Sequence, residues 1–363
     1  MLKRIAKYFL HLVLWCAIIA AVVWAAMLSK SHKESSLVSA TEIDIEGGSD
    51  NSLIASESVD WWLKQQGVHP EGNILSKVDI ATIEHIVESH SAIAKANVYT
   101  CYDGGVRVDI RQREPIARLR ISDYDMYLTD DGYLLPAEGC HSAYVKVITG
   151  DYKPLFDAQY SGYVESIVQD SIASLERYIA ELERGKIPHL KRHIENNKAL
   201  REVKRSSPKK SIFDSKDKHA ILVTAYNEHL SQAIAQHTTN KRAIDADIAA
   251  IEREQEWALG LRRGLLRQAE EFDSMVAMIR YIVNDAFLGD EIVQIVATGG
   301  ESEPLQLAVI PRSGDFVVDL GSAERLEQKL VTLRRFYDKG LSRIGWDRYS
   351  RISLRYDGQV VCR

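Results

Sequence analysis

The sequence predicts an α+β protein with a single N-terminal transmembrane helix, a small α+β domain, and a β-rich domain interrupted by a long antiparallel helical hairpin. Three observations lead there. Residues 9–28 carry no charge, and short runs with apolar residues at every second position flank the middle of the chain. Between those runs, from Tyr160 to Tyr281, apolar residues step by three and four, the spacing of a helix rather than a strand.

With 363 residues the chain has room for two or three domains and a proper core. Its net charge is −5. The basic residues Lys3, Arg4 and Lys7 stand before the uncharged stretch with no acid among them, so the body is more acidic than the whole. An acidic body argues against broad nucleic-acid binding.

"FLHLVLWCAIIAAVVWAAML", Phe9 to Leu28, is 20 residues long, enough to cross a bilayer as a helix. A signal peptide usually has an apolar region of ~7–15 residues. This one is longer and ends on the bulky Trp24, Met27 and Leu28, which favours an uncleaved anchor. Lys30 and Lys33 follow the span, but a short basic tail (1–8) and no second apolar span favour an inside N-terminus and an exported bulk. A Ser/Lys/His linker covers 29–39.

The first domain is expected over 40–121. "TEIDIEGG" makes a short strand with Ile43 and Ile45 on one face. "SESVDWWLKQQG" makes a helix capped by Ser56 or Ser58, striped by Val59, Trp62 and Leu63, and stopped at Gly67. At this spacing one of Trp61 and Trp62 belongs to the core. Asp79 caps a second helix with Ile80, Ile83, Ile86 and Val87 inward. Two alternating runs around Asp103-Gly104-Gly105 then make a hairpin. The order is β-α-α-β-β.

A β-rich domain is expected over 122–158 and 280–363, with the helical hairpin, 159–279, inserted between its parts. Val168, Ile172, Leu175, Ile179 and Leu182 form a coiled-coil seam in the first arm helix. In the second, one register runs through Ile244, Ile248, Ile251, Gln255, Ala258, Arg262, Leu265, Ala269, Phe272, Val276, Ile279 and Val283. The tip, 198–218, has eight basic and three acidic residues around Pro208, the composition of a solvated loop. Two helices of ~40 residues would project ~60 Å. After the arm, three strands precede a helix capped by Ser322 and striped by Leu326, Leu330, Leu333 and Tyr337.

Catalytic chemistry is hard to find. His189 and His193 share a helical spacing, yet they lie in a basic helix with no nearby carboxylate–histidine partner, so a solvated face is expected there and no metal. Ser302 stands between acids in "GGESEP", but the composition is that of a turn. Asp130-Asp131-Gly132 reads as a β-turn, because the other ligand positions of a calcium loop are missing. No cofactor motif appears and no enzyme is expected. Cys16 lies in the span, and Cys101, Cys140 and Cys362 have no metal-like spacing and allow at most one disulfide.

The chain closes on "RYSRISLRYDGQVVCR". Ile352, Leu354, Tyr356, Val360 and Cys362 share one phase. A two-residue hairpin at Asp357-Gly358 would mix the faces, so one continuous strand, kinked or bulged at Gly358, is expected. Such a strand can be a sheet edge open to a partner's strand. It can equally be an interior strand paired on both sides.

Three segments carry a resemblance. They are "RQREPIARL" (Arg111 to Leu119), "YLTDDGYLLP" (Tyr127 to Pro136) and the long stretch from Leu307 to Arg363. In these the chain resembles the bacterial cell-division family FtsQ (DivIB in Gram-positive bacteria), especially its Bacteroidetes forms. The resemblance implies a POTRA domain over 40–121, followed by the β domain. It implies a non-enzymatic inner-membrane protein of the division septum that binds FtsB/DivIC-like and FtsL-like proteins and helps control septal peptidoglycan synthesis. It also implies that the last strand receives a strand from an FtsB-like partner. That role would fall on the backbone of Ser350 to Val361 and on Tyr349, Ser350, Arg351, Ile352, Ser353, Leu354, Arg355, Tyr356, Val360 and Val361. Ordinary members have only a short connection where 159–279 lie. The alternative is a periplasmic membrane-fusion or efflux-type adaptor with a helical hairpin, although the flanking half-lipoyl motifs are missing.

Overall fold

The structure is a computed structural model that describes residues 14–24, 36–46, 52–209, 216–301, 303–341 and 349–363. Of the expected span, residues 14–24 are helical (α1), with Leu14, Trp15, Ile19, Val22 and Trp24 exposed. The rest of the span lies outside the described residues. Among the described residues, no helix is long and apolar enough to cross a membrane.

The first domain follows the expected order. Strand β1 (Thr41–Glu46) keeps Ile43 and Ile45 on its half-buried face. Helix α2 (Ser56–Gln65) buries Val59 and Leu63. Neither Ser56 nor Ser58 caps it, because the chain is still extended at Ala55 and that residue takes the cap position. Of the two tryptophans, Trp62 packs against the core and against His90, while Trp61 faces solvent. Helix α3 (Ile80–Glu88) is capped by Asp79, which accepts from Thr82 N at 3.1 Å. Strands β2 (Ile93–Thr100) and β3 (Val106–Gln112) pair antiparallel, and β1 adds parallel to β3.

The second sheet has ten strands in the order β13-β12-β11-β10-β9-β7-β4-β5-β6-β8. It begins with β4 (Pro115–Ile121), β5 (Tyr124–Thr129), β6 (Tyr133–Pro136), β7 (Lys146–Tyr152) and β8 (Gly162–Tyr163). Because β4 pairs with β5 and β7, the first domain's sheet ends at Gln112, short of the expected boundary at 121. Pro115 opens the new strand, where its missing N–H is tolerated. The two domains share packing, since Tyr127, Leu135 and Ala137 join the first domain's core. Gln112 ties the joint by accepting from Leu53 N at 2.9 Å.

The arm is α4 (Val164–Arg205) and α5 (Lys216–Asn284). Both seams face inward as expected, and Ile244 and Ala258 are buried between the helices. The two helices are unequal: 42 residues against 69. The register read for α5 runs without a break from the arm into the body, where Phe272, Met275, Val276, Ile279 and Ile282 lie in the core of the large sheet. A boundary at 279 therefore cuts through a core helix, and Val283 at the end of the register is exposed.

After α5 come α6 (Ala286–Glu291), β9 (Ile292–Gly299), β10 (Gln306–Pro311), β11 (Val317–Ser322) and α7 (Leu326–Phe336). Strand β9 pairs parallel with β7, joining the chain before the arm to the chain after it. The stripe of Leu326, Leu330, Leu333 and Tyr337 is buried. Ser322 does not cap α7. It is still paired to Gln306 in the sheet, and the cap position falls on Arg325, in the left-handed region at φ +54°. The last strands are β12 (Arg351–Ser353) and β13 (Val361–Cys362).

Candidate partner-binding edge

The sheet end is built outward from β11. Val318 and Leu320 fill its core face, and β12 lies parallel to it with Val317 opposite Arg351 and Asp319 opposite Ser353. In a strand, successive backbone groups point to opposite sides. Val317 N donates to Ser350 O (3.1 Å) and Leu354 N to Asp319 O (2.8 Å), so the even residues serve β11. Arg351 N donates to Arg363 O (3.1 Å) and Arg363 N to Arg351 O (2.9 Å), so the odd residues face away from β11.

The continuous strand is not what forms. The chain turns through Leu354–Val360 and returns as β13, pairing Ile352 with Cys362 and Ser353 with Val361. A long turn removes the objection to a hairpin, because it sets Ile352 beside Cys362, apolar beside apolar, instead of beside Arg363. Gly358 supplies the left-handed residue of that turn at φ +63°. Strand β12 is thus flanked by β11 and β13, and at this end of the sheet nothing among the described residues pairs with the outer side of β13.

The expected site residues fall into different places. Ile352 and Leu354 are core, 0% and 2% exposed. Tyr349, Ser353, Val360 and Val361 are half-buried, and Ser350, Arg351 and Tyr356 are exposed. Arg355 is exposed as well, with its Nε donating to both oxygens of Asp319 at 2.9 Å. The same carboxylate accepts from Gly321 N at 3.1 Å and has Arg351 Nε at 3.9 Å. Asp319 is buried, and its signal was the one acid in the apolar run "FVVDLGS". Cys362, left out of the expected site, is a central edge residue. Burial pushes its thiol pKa up, which makes it a poor nucleophile.

One ion pair holds the turn against the start of α7. Arg325 pairs with Asp357 at 2.7 Å, and a cavity of about 30 Å³ separates the turn from Lys329 and Thr332. Lys329 donates to Ser322 O at 2.8 Å, and burial, reinforced by Arg325, lowers its pKa.

Elsewhere the arm histidines lie near carboxylates of α5: His189 Nδ1 is 3.2 Å from Asp247, and His193 Nε2 is 3.8 Å from Asp245. Among the described residues no cluster of three or more metal-ligating side chains occurs. Asp130-Asp131-Gly132 is the β5–β6 turn, with Asp130 paired to Arg280 at 2.7 Å. All four cysteines are free. Ser302 lies outside the described residues.

Residues 258–363, from Ala258 within α5 to the last strand, match the family model described as FtsQ/DivIB, C-terminal related. Residues 37–111 match a POTRA-like domain. Together the two matches support an FtsQ/DivIB-family protein. These domains indicate a cell-division protein, and the edge just described closes the matched C-terminal region. Residues 112–257, which include most of the arm, lie outside both matches. No curated protein matches the chain.

Proposed function

We propose that this FtsQ/DivIB-family protein is a non-enzymatic scaffold of the division septum. It is anchored in the inner membrane by the span 9–28, with its N-terminus in the cytoplasm and its bulk in the periplasm. There it binds FtsB/DivIC-like and FtsL-like proteins and helps control septal peptidoglycan synthesis. One observation carries the reading: the family-matched segment finishes at a sheet edge whose outermost strand is only two residues long. An edge so little protected is what strand addition uses. The anchor rests on the uncharged 20-residue stretch and on the fully apolar, exposed surface of residues 14–24.

Tagged pull-down from detergent-solubilised membranes tests the proposal. FtsB- and FtsL-like proteins should be recovered with the parent chain and lost with Ser353→Pro, which removes an N–H on the side away from β11. Leu354→Pro is a poorer probe, because its N–H serves β11. A folded Ser353→Pro chain that still recovers both proteins would defeat the edge reading. Recovery of an outer-membrane channel instead would favour the adaptor.

A further inference from the structure

The open side of β13 offers little. Arg363 turns its N–H and C=O toward Arg351 of β12, and by alternation so does Val361. Of the two paired residues, only Cys362 then presents backbone groups outward. Strand β12 is different. Arg351, Ser353 and, past the ladder, Arg355 aim their backbone groups at the side that β13 now covers. Its other side is bonded to β11, and Ile352 and Leu354 are fixed in the core.

The cover is lightly held. Two paired positions and the hydrogen bonds between Arg363 and Ser350–Arg351 hold it, after a turn in which Tyr356, Asp357, Gly358 and Gln359 are all exposed. The Arg325–Asp357 pair that tethers this turn is exposed on both partners, and such pairs contribute little in water.

We propose that the docking surface for a partner strand is the outer edge of β12, and that residues 357–363 are a displaceable cover seated on it. This rests on the edge reading above. The cover shows what the edge accepts: an extended segment running antiparallel to β12. It carries small apolar residues in the places of Val360 and Cys362, both of which pack against the core. The residue between them lies opposite Ser353 on the other face. An incoming segment longer than two residues forms more of the ladder than β13 does, and so displaces it.

The chain's own tail is the probe. The chain ended after Tyr356 and otherwise intact should bind a fluorescent peptide of residues 356–363 saturably, at least tenfold more tightly than the intact chain does. In the intact chain the tethered tail competes at high effective concentration. Hydrogen exchange at Arg351 and Ser353 should quicken on truncation and slow again when the peptide is added. A folded truncated chain that ignores the peptide overturns the proposal.

Should truncation unfold the protein, a lock in the full chain decides. Ser353→Cys with Val361→Cys, oxidised, should lose FtsB-like capture at least tenfold and regain it with reductant. An oxidised lock that captures the partner normally overturns the covered edge and leaves strand addition on β13. Loss of all effect in Ser353→Pro would instead defeat the edge reading itself.

Discussion

Gly150→Ala tests the joint that makes one sheet of two separated chain segments. Gly150 sits in β7 opposite Ala297 of β9, at φ +119°. A Cβ there would lie 2.1 Å from the Ala297 carbonyl oxygen, inside any tolerated contact. Strain at such a backbone position costs ~1–3 kcal/mol. Pushing the carbonyl aside weakens neighbouring ladder bonds worth about 0.5–1.5 kcal/mol each. The expected loss is ~3–5 kcal/mol. Gly132→Ala is the control, because Gly132 also has a positive φ (+83°) but open space around it. It should cost only the ~1–2 kcal/mol of a left-handed residue. Urea unfolding followed by circular dichroism gives the difference from the shift in midpoint at constant slope. Hydrogen exchange should place the loss in β7 and β9. If the two variants fall within ~0.5 kcal/mol of each other, the close approach at the joint is not what the fold depends on.

Phe272→Ala removes a buried ring that meets Phe156 edge to face at 5.7 Å. It should destabilise the β domain by ~3–5 kcal/mol in denaturant. Shortening the arm by joining Leu175 to Arg262 through a tight turn should leave the domain folded by circular dichroism. Deleting 159–279 should unfold it, because Phe272, Met275 and Val276 go with the deletion. Asp125→Asn should cost less than ~1 kcal/mol at neutral pH. Arg118 donates to both of its oxygens, at 2.7 and 2.8 Å, and lowers its pKa from the ordinary 3.8. A lowered folded-state pKa means that this stabilisation is present above that ordinary value and disappears as the pH falls through the lower one. Melting temperatures of parent and variant should therefore converge in acid.

The elements that could be read from the sequence were those whose signal is local and repeated. The α3 cap at Asp79, the two-residue period of β1 and the α7 stripe each follow from neighbours in the chain. The α5 register was also legible through Ile279. What covers it was not, because the pattern is the same whether α4 or the sheet lies on top. The tail shows the other limit. Its two-residue phase was correct through Leu354, which is buried, but Tyr356 in the same phase is 62% exposed. Nothing within those residues says whether the chain runs on or turns back. Pairing with β11, fixed more than thirty residues earlier, decides which side remains for β13.

Helix α5 has a mechanical consequence. At 1.5 Å per residue, its 69 residues form one rod of about 100 Å. One end reaches the tip of the arm, and the other packs against α7 and β4. A tug or twist at the far end has no intervening joint in which to dissipate, so it arrives at the α7 interface as leverage. Helix α7 is tied through Arg325 and Asp357 to the turn that folds the tail back. Whatever grips the arm would thereby gain a handle on the tail at the far end of that rod.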